Sequence, residues 1–146
     1  MAEVSTRGRA LKAVGQVALG ASLLVAGTGH LTNLREEFQA QVPSWIPLDA
    51  DLVVVASGVV ELALGAALVG TWKQPARALV GGTAAAFFVA VFPGNIAQLT
   101  GHVDAFGLDT DAKRAVRLVF QPVLVALALV STDAIRVARE RRATTG

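Results

Sequence analysis

One charged side chain, Glu61, interrupts the stretch VVVASGVVELALGAALV, residues 53–69, in which every other residue is apolar, Gly or Ser. Apart from this carboxylate, the segment from Leu52 to Trp72 carries no charge. A helix needs about 20 mostly apolar residues to cross the ~30 Å hydrocarbon core of a bilayer. The stretch therefore predicts a membrane-spanning helix, and it raises the question of why a carboxylate lies in its middle.

Three further apolar blocks follow the same pattern. The segments 13–34, 78–103 and 118–132 contain no Asp, Glu, Lys or Arg. The chain is 53% hydrophobic and 16% charged, whereas soluble domains average about 25% charged residues. We predict an all-α, integral membrane four-helix bundle, with residues 1–146 forming a single transmembrane domain. Its helices extend over about 11–33, 49–71, 76–99 and 112–136, followed by a basic cytoplasmic tail over 137–146.

Two other interpretations of these blocks fit the sequence less well. The helices of a soluble bundle would show a polar stripe at every turn, which these segments lack. A cleaved signal peptide would end in a small-residue site followed by a polar region, whereas the first block is long and has no such ending. We therefore expect the first helix to stay in the membrane.

The basic residues predict the orientation of the bundle, because Lys and Arg concentrate in cytoplasmic connections. Nine of them fall on the side of both termini and four on the other. The larger set comprises Arg7, Arg9, Lys12, Lys73, Arg77, Arg136, Arg139, Arg141 and Arg142. Both termini should therefore be cytoplasmic, with the basic tail against anionic lipid.

The first outer loop, REEFQAQVPSWIPLDAD, is long, and Pro43 and Pro47 prevent a continuous helix through it. Trp45 and Ile46 lie between these prolines. The simpler interpretation is a loop that rests on the membrane, and the alternative is a lid over an outer cavity. The sequence favours the former.

Glu61 lies about ten residues from the outer end of its helix, which is a depth of ~15 Å. A lone charge there costs at least ~2.5–3.5 kcal/mol, so the carboxylate must be protonated, paired or facing water. Other polar residues fall at nearby depths on the other helices. The candidate ligand or polar-cluster residues are His30, Ser57, Glu61, Asn95, Arg117 and Gln121.

Several details of this set stay open. His30 could bind a ligand or simply pack. Pro93 and Pro122 remove hydrogen bonds to the carbonyls of Val89 and Leu118, which either enlarges the polar cluster or only kinks the helices. Arg117 either extends to the headgroups or turns inward as a counter-ion to Glu61, and we favour the inward orientation.

Five short motifs follow one another along the chain: GH at 29–30, the Pro-x-x-x-Pro loop at 43–47, SGVVELALGAALV at 57–69, FPGNI at 92–96 and RLVFQP at 117–122. Their order resembles the DoxX-like family of small four-helix bacterial membrane proteins over about residues 11–136. The resemblance implies a subunit linked to quinone in oxidase or thiosulfate:quinone oxidoreductase assemblies, or one that helps to assemble such complexes. It assigns no catalytic role to any residue.

We accordingly expect an accessory or assembly subunit of a quinone-linked membrane oxidoreductase system in the bacterial cytoplasmic (inner) membrane. The alternatives are a direct quinone-binding redox subunit and, less favoured, a small solute or proton pathway. Quinone is the one cofactor suggested. We predict no metal site and no nucleic-acid partner. The expected partners are membrane lipids and other oxidoreductase subunits or copies of this chain. Whether the protein is an enzyme stays open.

Overall fold

Six α-helices form most of the chain in this computed structural model, which describes residues 2–145. They are α1 (Ala2–Leu31), α2 (Arg35–Gln39), α3 (Ala50–Gly70), α4 (Ala76–Thr100), α5 (Asp111–Ser131) and α6 (Ala134–Thr145). Helices account for 78% of the residues, and residues 2–145 include no strand. Four helices, α1, α3, α4 and α5, are long and apolar enough to span a membrane. The predicted all-α, four-helix membrane bundle is confirmed in these terms.

The predicted helix bounds are accurate in the middle of the chain and wrong near its ends. α3 and α4 lie within one residue of the predicted 49–71 and 76–99. The predicted fourth helix over 112–136 is wrong at its end, because the chain turns at Asp133, whose φ of 61° is left-handed. Residues 137–145 of the predicted tail belong to α6. The five-residue helix α2 was not predicted.

The long helices pack as two pairs, α1 with α3 and α4 with α5. Glycines set the spacing of the first pair: a Cβ on Gly27 would lie 2.7 Å from the Gly58 carbonyl oxygen, and one on Gly65 would lie 2.8 Å from that of Gly20. Small residues allow helix backbones in a membrane to approach closely. The α3–α4 contact is less extensive than either pair.

The two pairs join through an apolar core at one end of the bundle. This core comprises Leu19, Leu23, Leu64, Leu68, Ala84, Ala85, Phe88 and Ala128. We call the end that holds the α3–α4 turn and α6 the terminal end, and the end that holds the connections 32–49 and 101–110 the loop end. The core closes the bundle on its terminal side.

A polar clamp reinforces the terminal end. Arg77 donates from Nε to Gln16 Oε1 at 2.6 Å and from Nη2 to the Ser131 carbonyl at 2.5 Å. Gln16 Nε2 donates to the carbonyls of Leu68 and Thr71 at 2.7 and 2.9 Å. These carbonyls lie at the ends of α3 and α5, where helices leave acceptors without internal partners. The clamp therefore ties four helices together, α1, α3, α4 and α5.

Asp133, in the turn between α5 and α6, lies among three cations. Its Oδ1 accepts from Lys12 Nζ at 2.5 Å, and Arg136 Nε and Arg77 Nη1 lie 3.6 and 4.0 Å from its carboxylate oxygens. Burial disfavours the charged carboxylate, but the cations outweigh burial and hold the pKa of Asp133 below its ordinary value of 3.8. The ionised form therefore stabilises the turn.

This linkage predicts an acid sensitivity. The pKa of Asp133 is lower in the folded state than in the unfolded state. Its ionised carboxylate therefore stabilises the fold above about pH 3.8, and this stabilisation is lost as the pH falls through the folded-state pKa. We expect Asp133→Asn to lower the unfolding midpoint at neutral pH and to flatten its decrease in acid. Thermal unfolding of the detergent-solubilised protein across pH measures both effects. An unchanged pH profile in the variant would contradict the assignment.

Most of the helical surface faces outward. Within the most apolar window of each long helix, only 28%, 33%, 28% and 22% of the residues are buried inside the bundle. Exposed residues include Val25, Leu79, Val119 and Phe120. An apolar surface of this size needs lipid rather than water around it, as expected of a multi-pass membrane protein.

Candidate functional site

A cavity of about 790 Å³ lies between the two helix pairs on the loop side of the apolar core. Its wall contains all six residues that the sequence singled out. They are His30 from α1, Ser57 and Glu61 from α3, Asn95 from α4, and Arg117 and Gln121 from α5. Most of the remaining wall is apolar, and five of the six phenylalanines of the chain contribute to it.

Glu61 and His30 form the most buried ionisable pair of this wall, with 7% and 6% of their surfaces exposed. His30 Nδ1 lies 2.9 Å from Glu61 Oε2 and also 2.9 Å from the carbonyl oxygen of Ala26. Only the contact with Ala26 has the geometry of a hydrogen bond, and Glu61 Oε2 is buried without a hydrogen-bonding partner in the described structure. The carboxylate of Glu61 thus lies close to the imidazole of His30 but forms no hydrogen bond with it.

Asn95 and Gln121 form a buried amide pair beside the cavity. Asn95 Nδ2 donates to Gln121 Oε1 at 3.0 Å, and Gln121 Nε2 donates to the carbonyl of Phe88 at 2.7 Å. The sequence left open whether the carbonyl of Val89, freed by Pro93, would join such contacts. The amide of Gln121 donates instead to the carbonyl of Phe88, which is one residue before Val89 in the same turn of α4.

Arg117 turns toward the cavity, as the favoured interpretation proposed, but its partner is not Glu61. Its Nη2 donates to Gln41 Oε1 at 3.2 Å, and its guanidinium lies 5.0 Å from the centre of the Phe106 ring. The prediction that Arg117 is the counter-ion of Glu61 is therefore wrong for the part of the chain that the structure describes. Glu61 Oε2 has the His30 imidazole 2.9 Å away, whereas the Arg117 cation is held at the loop side of the cavity.

The first loop covers the cavity rather than merely resting on the membrane, which corrects the interpretation that the sequence favoured. Phe38 of α2 stacks on His30 with ring centres 3.4 Å apart and planes at 16°. Phe106 meets Phe38 edge-on at 4.6 Å, and its backbone N–H donates to Glu37 Oε2 at 2.5 Å. Aromatic contacts of this kind stabilise by ~0.5–1.5 kcal/mol each beyond burial. The two loops therefore form one cover, which also includes Trp45.

Several residues that hold this cover were not predicted from the sequence. Gln98 is 1% exposed, and its Oε1 accepts from Gln41 Nε2 at 3.0 Å. Its position three residues after Asn95 places both on one helix face, a signal that was available. Arg114, counted only among the four basic residues of the outer side, is 4% exposed and pairs with Asp104 and Asp111.

The donor set suits an organic molecule better than a metal ion. No cluster of three or more His, Cys, Asp or Glu side chains that could hold a metal occurs among the described residues. The cavity is instead mostly apolar, with a few polar groups converging on it, which is typical of small-molecule sites of ~300–1,000 Å³.

Fold and cavity together define a small multi-pass membrane protein with a covered, mainly apolar chamber between two helix pairs. The chain belongs to the family described as domain of unknown function DUF8561, whose profile matches residues 19–132. The matched segment contains all six predicted site residues and ends before α6. Comparisons with curated proteins and with solved structures gave no match.

Proposed function

We propose that this protein is an accessory subunit of a membrane oxidoreductase system and binds a quinone-class ligand in its covered cavity. The observation that carries the proposal is the buried Glu61 Oε2, which lines an apolar chamber and has no hydrogen-bonding partner among the described residues. Leaving such an atom unpartnered costs ~1–3 kcal/mol or more. A ligand that donates a hydrogen bond to it would remove this cost.

A quinol matches these groups in shape and polarity. It is a flat ring with a hydroxyl at each end, so one hydroxyl would donate to Glu61. The other would lie toward the amide pair Asn95–Gln121 on the opposite helix pair. The surrounding phenylalanines would contact the ring face and the isoprenoid chain. Oxidation of the quinol to the quinone releases two protons and two electrons: Glu61 would accept one proton, His30 the other, and both electrons would pass to a partner subunit.

The resemblance to the DoxX-like family supports the same role, since its founding members are quinone-linked subunits. We extend the proposal to a bacterial inner-membrane location with the termini cytoplasmic and the cavity on the outer side. The proposed partners are other oxidoreductase subunits or copies of this chain.

Trp45 provides the test, because it lines the cavity whereas Trp72, the second tryptophan, lies at the terminal end. In a Trp72→Phe background, titration with a short-chain benzoquinol, kept reduced under anaerobic conditions, should quench Trp45 fluorescence to saturation at one ligand per chain. The matched Trp45→Phe protein, which reports from Trp72, should show only weak, non-saturating quenching. Equal and non-saturating quenching of both proteins would contradict the proposal.

A structural or assembly role is the second candidate, and the Asn95–Gln121 contact favours it. Interhelical polar contacts average ~0.6 kcal/mol in membranes, so such a pair would fix a helix arrangement more than stabilise it. If Glu61→Gln lowered the amount of protein in the membrane but left every quinone-linked activity intact, this candidate would replace the first.

A solute or proton pathway agrees less well with the packing. The apolar core and the Arg77 clamp occupy the terminal half of the bundle, and the cavity does not extend through them. A pathway would need a second route between subunits.

A further inference from the structure

A second apolar cavity, of about 480 Å³, lies on the outer surface of α4 and α5. We call it the α4–α5 groove. Gln121 provides its one polar lining residue, and the rest of the wall is apolar and includes Val89, Ala126, Val130 and Ile135. From Gln121, the middle residue of α5, to Val130 the groove is ~14 Å long. This is about half of the ~30 Å hydrocarbon core, the depth of one lipid leaflet.

Beyond the end of the groove, α6 carries basic side chains. Ile135, which lines the groove, is followed by Arg139 and Arg142 at intervals of four and three residues, so all three lie on one helix face. Both arginines are exposed and form no ion pair with any described residue. Arg136, one turn before Arg139, is instead neutralised by Glu140 at 2.9 Å and Asp133 at 3.6 Å.

We propose that the α4–α5 groove binds one acyl chain of an anionic phospholipid, whose phosphate contacts Arg139 and Arg142. The groove has the length and the apolar wall that an acyl chain requires. The two free guanidinium groups at its terminal end supply the charge that an anionic headgroup requires, and guanidinium recognises phosphate through paired hydrogen bonds. This site lies on the outer face of α4 and α5, shares only Gln121 with the wall of the covered cavity, and does not depend on the ligand of that cavity.

Lipid retention in nanodiscs tests the site. The protein, reconstituted with equal phosphatidylglycerol and phosphatidylcholine, is released into mild detergent, and retained lipid is counted by native mass spectrometry. Wild-type protein should retain one phosphatidylglycerol in preference to phosphatidylcholine. Juxtamembrane basic residues contribute ~1 kcal/mol each, so Arg139→Gln with Arg142→Gln should lower that preference about tenfold or more. Arg136→Gln is the matched control and should change it much less.

Blocking the groove separates this site from general surface attraction. Ala126→Trp, inside the groove, should abolish retention, whereas Val123→Trp, exposed on α5 but outside the groove, should not. Retention that depends on the arginines but not on Ala126 would overturn the groove site in favour of unspecific attraction. A change from dimer to monomer in Ala126→Trp, with lipid retention unaltered, would also overturn it and assign the groove to a second copy.

Discussion

Replacement of Glu61 by Gln is expected to weaken quinol binding about tenfold or more without destabilising the empty protein. Hydrogen bonds to charged groups contribute ~1.5–3 kcal/mol, and each ~1.4 kcal/mol is a factor of ten in affinity. Because Glu61 Oε2 has no hydrogen-bonding partner in the described structure, its removal breaks no such bond. The unfolding midpoint of the ligand-free variant should therefore equal or exceed that of the wild type. Ligand titration and thermal unfolding of the same preparations measure both effects.

Ser22 provides the matched control for this prediction. Its hydroxyl lines the same cavity but already donates to the Ala18 carbonyl at 2.8 Å. Ser22→Ala should leave affinity within about twofold of the wild type, since a satisfied neutral hydroxyl contributes little to a new ligand. A Glu61→Gln protein that binds normally but unfolds at a lower temperature would reverse the interpretation and make the carboxylate structural.

The largest loss of stability is expected from Gly81→Ala, at the closest approach of α4 to the end of α5. A Cβ on Gly81 would lie 1.8 Å from Thr132 Oγ1 and 2.5 Å from Thr132 Cβ. Thr132 is fully buried, and its hydroxyl donates to the Ala128 carbonyl at 2.7 Å, so rotation of its side chain cannot relieve the contact. The helices must separate, and overpacking of this kind costs ~1–3 kcal/mol. Thermal unfolding in detergent should show a midpoint lower by several degrees.

Gly82→Ala is the control for that substitution, because a Cβ on Gly82 meets no atom within 4 Å. Both variants replace a helical glycine by alanine, which by itself favours the helix by ~1 kcal/mol. Gly82→Ala should therefore match or exceed the wild-type midpoint. Equal unfolding midpoints for the two variants would contradict the close packing of α4 against the end of α5.

The sequence predicted the helices well where one local property decides them. Long apolar blocks bounded by charges define α3 and α4, because the bilayer penalises charge inside a span; Glu61 is the one charge within the block that forms α3. The end of α5 was misplaced because it depends on tertiary contacts. The left-handed Asp133 is held by Lys12, which is 121 residues away in the chain, and no local pattern indicates such a contact.

The candidate site was predictable from depth. His30, Glu61, Asn95 and Gln121 were grouped because polar side chains on different helices fell at similar levels in an otherwise apolar region, and they line one cavity. Their individual partners were not predictable. Arg117 binds Gln41 in a loop whose path the prolines left open, and the stacking of Phe38 on His30 depends on that same path.

Quantification of the molecules that the chain retains tests the central claim, that the covered cavity is a ligand site, most directly. The protein is purified in mild detergent from quinone-containing bacterial membranes under reducing conditions, which keep the quinone as quinol, and its extracted lipids and co-purifying proteins are identified by mass spectrometry. The account predicts close to one quinone per chain in the wild type and in Ser22→Ala, and a strong depletion in Glu61→Gln. Absence of quinone from the wild type, or an equal amount in the Glu61 variant, would contradict it.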